Sequence, residues 1–133
     1  MDMGVQNYLL ASTLLGVLAQ RLTRKLCPAC KAPAPMDPRQ IREAGLDPTG
    51  RYFRAVGCPE CDFTGYRGRQ AVGELFIIDD RVKIMLDKGL NDHEIREQMK
   101  SAGLRTISDR LRELLEAGVT SYEEAVRVGL MDG

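Results

Sequence analysis

The chain has no tryptophan, seven other aromatic residues and a single histidine among its 133 residues. So few aromatics argue against a base-stacking nucleic-acid platform. One histidine, His93, sits at the start of a helical pattern, where an exposed solvated side chain is the expected reading rather than a ligand or base. Long apolar runs are missing too. The longest, Leu14 to Ala19, is far short of a membrane-spanning helix. Net charge is absent: Lys plus Arg balance Asp plus Glu at 19 each, so a strongly basic or acidic partner surface is not written into the composition. Also missing are the G-x-x-x-x-G-K-[ST] phosphate loop, G-x-G-x-x-G, H-E-x-x-H and G-x-S-x-G. With no paired nucleophile and base, no catalytic residue is expected in this chain.

What is present is concentrated in two short strings. Cys27-Pro28-Ala29-Cys30 and Cys58-Pro59-Glu60-Cys61 hold all four cysteines, at equal spacing and with proline at the same place in each. A C-x-x-C turn presents two thiolates on one side of a tight loop, and two such turns can close a tetrahedron of sulfurs around Zn²⁺. Disulfides and a redox pair are the alternatives. Bridging within C-x-x-C makes strained small rings and no secretory signal is visible, while four free thiols or one redox pair would not explain why the pattern occurs twice. A four-sulfur site has no open coordination position, so the expected zinc is structural. The 27 residues between the pairs exceed the spacing of a compact zinc ribbon.

Charge is unevenly placed: residues 1–69 carry a surplus of four positive charges and residues 70–133 the same surplus of negative ones. That division suits head-to-tail contact between copies, with scattered solvated charge as the alternative. The cysteine usage, without a signal, leads to an expected cytoplasmic location.

Along the chain, Val5, Leu9, Leu10, Leu14 and Leu15 approximate a helical stripe. Gly16–Thr23 fits strand or helix by period, with Gly16 and Val17 tilting it to strand. Asp37-Pro38 reads as cap and first turn of a helix ending at Gly45. Arg51–Val56 is a short strand candidate, Gly65 and Gly68 require left-handed or tightly turned backbone, and Ala71–Ile78 reads as a buried strand. Four short helices follow, read as one packed cluster. Asn91 and Glu94 form a capping box before the second, and Thr120 and Glu123 read as another before the last, which should bury Tyr122, Ala125 and Val126.

Several strings together carry a resemblance. They are Gly16–Leu22, Arg24-Lys25-Leu26-Cys27-Pro28-Ala29-Cys30, Gly57-Cys58-x-x-Cys61-x-x-Thr64-Gly65-Tyr66-x-Gly68-Arg69 and Glu74-Leu75, with Gly103–Thr106, Gly118–Thr120 and Glu123–Val128 in the tail. The chain resembles the C-terminal part of the type II secretion and type IV pilus assembly ATPases over nearly its whole length. It departs mildly at Ser108-Asp109-Arg110-Leu111 and at Gln70-Ala71.

The resemblance implies an α+β fold: a small antiparallel strand pair, Gly16–Thr23 with Ala71–Ile78, an inserted four-cysteine zinc module and a C-terminal cluster of short helices. It divides the chain into the end of a RecA-like core (1–26), a tetracysteine zinc subdomain (27–69), a closing core strand (70–79) and a helical subdomain (80–133). The implied parent is a cytoplasmic homohexamer that hydrolyses ATP with Mg²⁺ to work an inner-membrane platform. This chain would be inactive alone, with Cys27, Cys30, Cys58 and Cys61 as zinc ligands. By the same resemblance Arg69, with Arg67, is the expected contact to nucleotide or to a neighbouring subunit. The competing reading is a free-standing zinc-ribbon module binding nucleic acid through Arg51, Arg54, Arg67 and Arg69. Zero net charge and few aromatics weigh against it.

Overall fold

A computed structural model describes residues 16–132, so the helix expected over residues 1–15 lies outside the described part. The elements are β1 (Gly16–Leu26), β2 (Ala32–Pro33), α1 (Pro38–Ala44), β3 (Phe53–Arg54), β4 (Tyr66–Ile77), α2 (Asp80–Asp87), α3 (Asp92–Ser101), α4 (Ile107–Glu116) and α5 (Tyr122–Val128). The fold is α+β, as expected. None of the described helices is long and apolar enough to cross a membrane.

β1 pairs with β4. Gly16 lies beside Phe76, while the Cys27 N–H donates to the Gly65 carbonyl at 2.9 Å, so the strands run antiparallel. Both strands are longer than the sequence suggested. β4 starts at Tyr66, five residues before Ala71, and Gly68 lies inside it at φ 79°. Pairing with β1 holds this glycine in a strand that its local chemistry opposes. The run Ala71–Ile78 is also not buried throughout. Val72, Phe76 and Ile78 are inside, whereas Leu75 and Ile77 are about half exposed. Alternate side chains of a strand point to opposite faces, and here only one face is covered.

The shorter pair, β2 with β3, matches Ala32 to Arg54 and Pro33 to Phe53 in antiparallel register. Pro33 and Pro35 donate no N–H, so the strand expected over Arg51–Val56 keeps only two paired residues.

The chain forms two compact units. One comprises residues 1–19 and 74–105, the other 20–73 and 106–133. Two of the four C-terminal helices fall in each unit. α2 and α3 close over Phe76 and Ile78 with Val82, Leu86, Ile95 and Met99 in the first unit. α4 and α5 pack with Ala44, Leu46, Tyr52 and Val72 in the second.

Helix starts follow local chemistry. Asp37 caps α1 by accepting from the Arg39 N–H at 2.8 Å, and α1 ends at Gly45 with φ 68°. The Asn91–Glu94 capping box forms at α3 as expected. The last helix differs: its cap is Ser121, which accepts from the Glu124 N–H at 3.2 Å. The Thr120 hydroxyl is engaged elsewhere, donating to the Arg24 carbonyl at 2.9 Å. Along this helix Ala125 and Val128 are buried, whereas Val126, expected inside, is 39% exposed.

Candidate metal centre

The two C-x-x-C turns come together within the second unit. The four Sγ atoms all lie within 4.8 Å of one another, close enough to hold a metal ion. Cys27–Cys58, Cys58–Cys61 and Cys30–Cys61 are separated by 3.8, 3.8 and 3.9 Å. These lengths are nearly twice a disulfide bond. They match the edge of about 3.8 Å that a sulfur tetrahedron has around zinc at about 2.3 Å. All four cysteines are free, and the donor set is consistent with zinc.

Backbone donors already favour thiolates here. The Gly57 N–H donates to Cys30 Sγ at 3.3 Å, and Cys61 Sγ accepts from Cys58 at 3.3 Å and from Gly65 at 3.2 Å. Burial raises the Cys61 thiol, but these N–H groups outweigh it and bring it down to about 6. Its neighbour Cys58 is pushed up to about 11, first by burial and then by the adjoining Cys27 and Cys30. The pair thus divides into a ready thiolate and a thiol that a cation would have to deprotonate.

The string after the second cysteine pair explains itself in this geometry. Thr64 donates its hydroxyl to the Cys61 carbonyl at 2.7 Å and accepts from the Tyr66 N–H at 3.2 Å. Gly65 takes φ 84°, and a Cβ there would lie 2.5 Å from that of Ala55. Only glycine fits. Tyr66 then reaches the start of α5, its hydroxyl 2.6 Å from that of Ser121.

Beside Tyr66 lies a feature that sequence reasoning missed. Glu124, its side chain fully buried, accepts from the Arg24 N–H at 2.6 Å and from the guanidinium groups of Arg24 and Arg127 at 2.7 to 3.2 Å. Arg24 also lies over the Tyr66 ring at 4.2 Å. Burial raises the Glu124 carboxyl, yet the arginine donors and the Arg24 N–H prevail and hold it at about 2. The only local signal was the spacing of Glu124 and Arg127, one helical turn apart. The first cysteine turn is tied down similarly: Leu26 donates to the Val119 carbonyl at 2.8 Å and Lys31 Nζ to that of Gly118 at 2.8 Å.

Arg67 and Arg69 are exposed residues of β4 and are not among the four sulfur ligands. Arg67 lies 3.9 Å from Glu60, both 63% exposed. The Arg69 side chain makes no hydrogen bond or ion pair among the described residues. His93 is exposed, as its position suggested. Ser108, one of the residues that departs from the family pattern, is buried and donates its hydroxyl to the Leu130 carbonyl at 2.5 Å.

Comparison with known proteins places this arrangement. The model of the family described as "Type II/IV secretion system protein" matches residues 1–127. Type II secretion system protein E of Pectobacterium carotovorum is 42% identical over 127 residues, covering 96% of this chain and 25% of that protein. Type II secretion system ATPase E of Vibrio cholerae is 37% identical over 129 residues, covering 96% and 25%. Type IV pilus assembly ATPase PilB of Thermus thermophilus is 35% identical over 130 residues, covering 94% and 14%. The chain spans a quarter or less of the length of these relatives. With the match running across 127 residues and through both cysteine pairs, the chain belongs to the type II/IV secretion system protein family.

Proposed function

We propose that this chain is the C-terminal segment of a hexameric traffic ATPase that powers type II secretion or type IV pilus assembly. The observation that carries this reading is the alignment of 96% of the chain with a relative named as a secretion ATPase. In this reading residues 1–26 and 70–79 belong to the ATPase core. The half-exposed Leu18, Leu75 and Ile77 on the strand pair support it, since such a face is ordinarily covered. Residues 27–69 form a zinc subdomain and 80–133 supply helices for subunit assembly. The assembled motor lies in the cytoplasm and docks on inner-membrane platform components.

Cys27, Cys30, Cys58 and Cys61 hold one structural Zn²⁺. With four protein sulfurs bound, no position remains for water or substrate, so the ion stiffens the module that transmits force. ATP and Mg²⁺ bind to parts of the parent outside this chain. Arg69, outward-facing beside the second cysteine turn, contacts the nucleotide or the adjacent subunit, with Arg67 next to it.

The test is a chimera in which this chain replaces the matching segment of the Vibrio cholerae ATPase. The chimera should assemble and hydrolyse ATP, and Arg69→Ala should lower the rate about tenfold or more. A folded, zinc-loaded chimera without turnover would overturn the reading. Full activity after Arg69→Ala would make that arginine an ordinary surface residue.

A further inference from the structure

The tip of the second cysteine turn carries a side chain that the metal centre does not use. Phe63 is 72% exposed, and Val56 is half exposed nearby in sequence. Phe63 sits at φ 61° directly after Asp62 at φ 54°. Two successive non-glycine residues in left-handed backbone are costly and persist only where their surroundings fix them. Here the Phe63 N–H donates to the Cys58 carbonyl at 2.9 Å and that of Thr64 to the Cys61 carbonyl at 3.1 Å. Gly57 lets the turn close, since a Cβ there would meet the Phe63 carbonyl oxygen at 2.9 Å. The backbone is held by the same turn that presents two sulfurs, and the aromatic ring is directed away from any core.

The same unit contains a cavity of about 530 Å³ lined by Pro33, Met36, Ile41, Pro48 and Tyr52, with Arg51 the one charged residue lining it among the described residues. Its size is in the range of pockets that enclose a small ligand. Among the described residues Arg51 makes no hydrogen bond or ion pair, and neither does the carboxylate of Asp62. An exposed aromatic beside an unpaired carboxylate therefore matches an apolar cavity beside an unpaired guanidinium. Glu60, also on the cysteine turn, carries a negative charge offset by Arg67 at 3.9 Å.

We propose that Phe63 of one copy of this chain inserts into the Pro33–Met36–Tyr52 cavity of a second copy, with Asp62 pairing to its Arg51. Phe63 is 72% exposed and so is not seated in the cavity of its own chain, which leaves that cavity open to the Phe63 of a second copy. Knob and hole are different patches, which makes the contact head-to-tail, and repetition closes a ring or extends a chain. One aromatic and one ion pair bury little area, so the contact is weak between free chains and gains from the high local concentration of an assembly.

The experiment places p-benzoylphenylalanine at position 63 and irradiates an equimolar mixture of isotopically light and heavy chains at about 1 mM. The expected product is a mixed-isotope cross-link at Met36, Pro48 or Tyr52. Arg51→Glu, at an exposed position, should lower its yield about tenfold, and combining it with Asp62→Arg should restore it. Cross-links confined to one chain, cross-links mapping to other residues, or an absence of product would each overturn the proposal. So would a yield indifferent to Arg51→Glu.

Discussion

The two compact units solve the problem of a small core in opposite ways. Among the described residues, every buried polar or charged side chain belongs to the unit with the cysteines: Thr23, Thr106, Ser108, Thr120, Ser121 and Glu124. The other unit is closed by Phe76, Ile78, Val82, Leu86, Ile95 and Met99, all apolar. Buried polar groups must be paired, and no buried side-chain nitrogen or oxygen among the described residues is left without a partner. The cysteine unit joins its turns and two-residue strands to three helices and to parts of β1 and β4, and carbonyls at those junctions lie outside any ladder. Side chains such as Thr120, Lys31 and Ser108 supply those partners, and the sulfur cluster joins the turns. The apolar unit relies on its helix caps, a packed face and one two-pronged ion pair of Arg96 with Glu74, whose side chain is 10% exposed. Beyond the apolar core that each unit has, the cysteine unit is specified by many buried polar bonds and the other mainly by volume.

Removing the metal should separate the units most strongly. Chelation, or Cys58→Ser, should release about one zinc per chain and abolish the cooperative melting of residues 20–73, while amides of α2 and α3 keep their hydrogen-exchange protection. Structural zinc contributes on the order of 10 kcal/mol to folding in small modules, more than any single side chain here. Equal loss of protection in both units would break the comparison. Disulfides in protein isolated without air would remove its basis.

Next in size is Glu124. Glu124→Ala strips the partner from two guanidinium groups and the Arg24 N–H, a change that costs about 3–5 kcal/mol at buried pairs. The pH dependence has a definite sign. The folded carboxyl is held at about 2 against an ordinary 4.5, so its contribution is complete above about pH 4.5 and is lost as the pH falls toward 2. Arg24 and Arg127 are about half exposed, so solvent screening limits this contribution to a few kcal/mol at most. The stability difference between the wild type and Glu124→Gln should be constant from pH 5 to neutrality and shrink on acidification. A difference that grows in acid would contradict the assignment of charge.

How far the sequence reveals these two designs differs between them. The cysteine spacing, the Asp37 and Asn91 caps and the turned glycines 65 and 68 are legible because each follows from short-range chemistry. What is not legible depends on partners distant in the chain. Thr120 looks like a helix cap until Arg24, ninety-six positions away, takes its hydroxyl. Glu124 looks like a solvated first-turn acid until β1 delivers an arginine and an N–H to it. The exposed half of Ala71–Ile78 is hidden for a related reason: an apolar strand does not reveal how many of its faces are covered.

The finest contrast comes from near-isosteric changes in each unit. Thr120→Val keeps shape but removes a hydroxyl that donates to the Arg24 carbonyl at 2.9 Å and lies 3.4 Å from that of Thr23. Both partners are then left in a site with no exposure at Thr23 or Thr120, and an unsatisfied buried polar group costs about 1–3 kcal/mol. Ile95→Val, at a residue 1% exposed, removes one methylene from the apolar unit. Met99 and the partly buried Met85 and Leu90 border that site, and flexible thioether chains can shift toward the space. The cost should fall near the lower end of the roughly 0.5–1.5 kcal/mol usual for this change. Exchange protection should drop only in α2 and α3 for Ile95→Val, and only in residues 20–73 and 106–132 for Thr120→Val. A larger loss for Ile95→Val than for Thr120→Val would mean that the apolar unit is specified as tightly as the polar one.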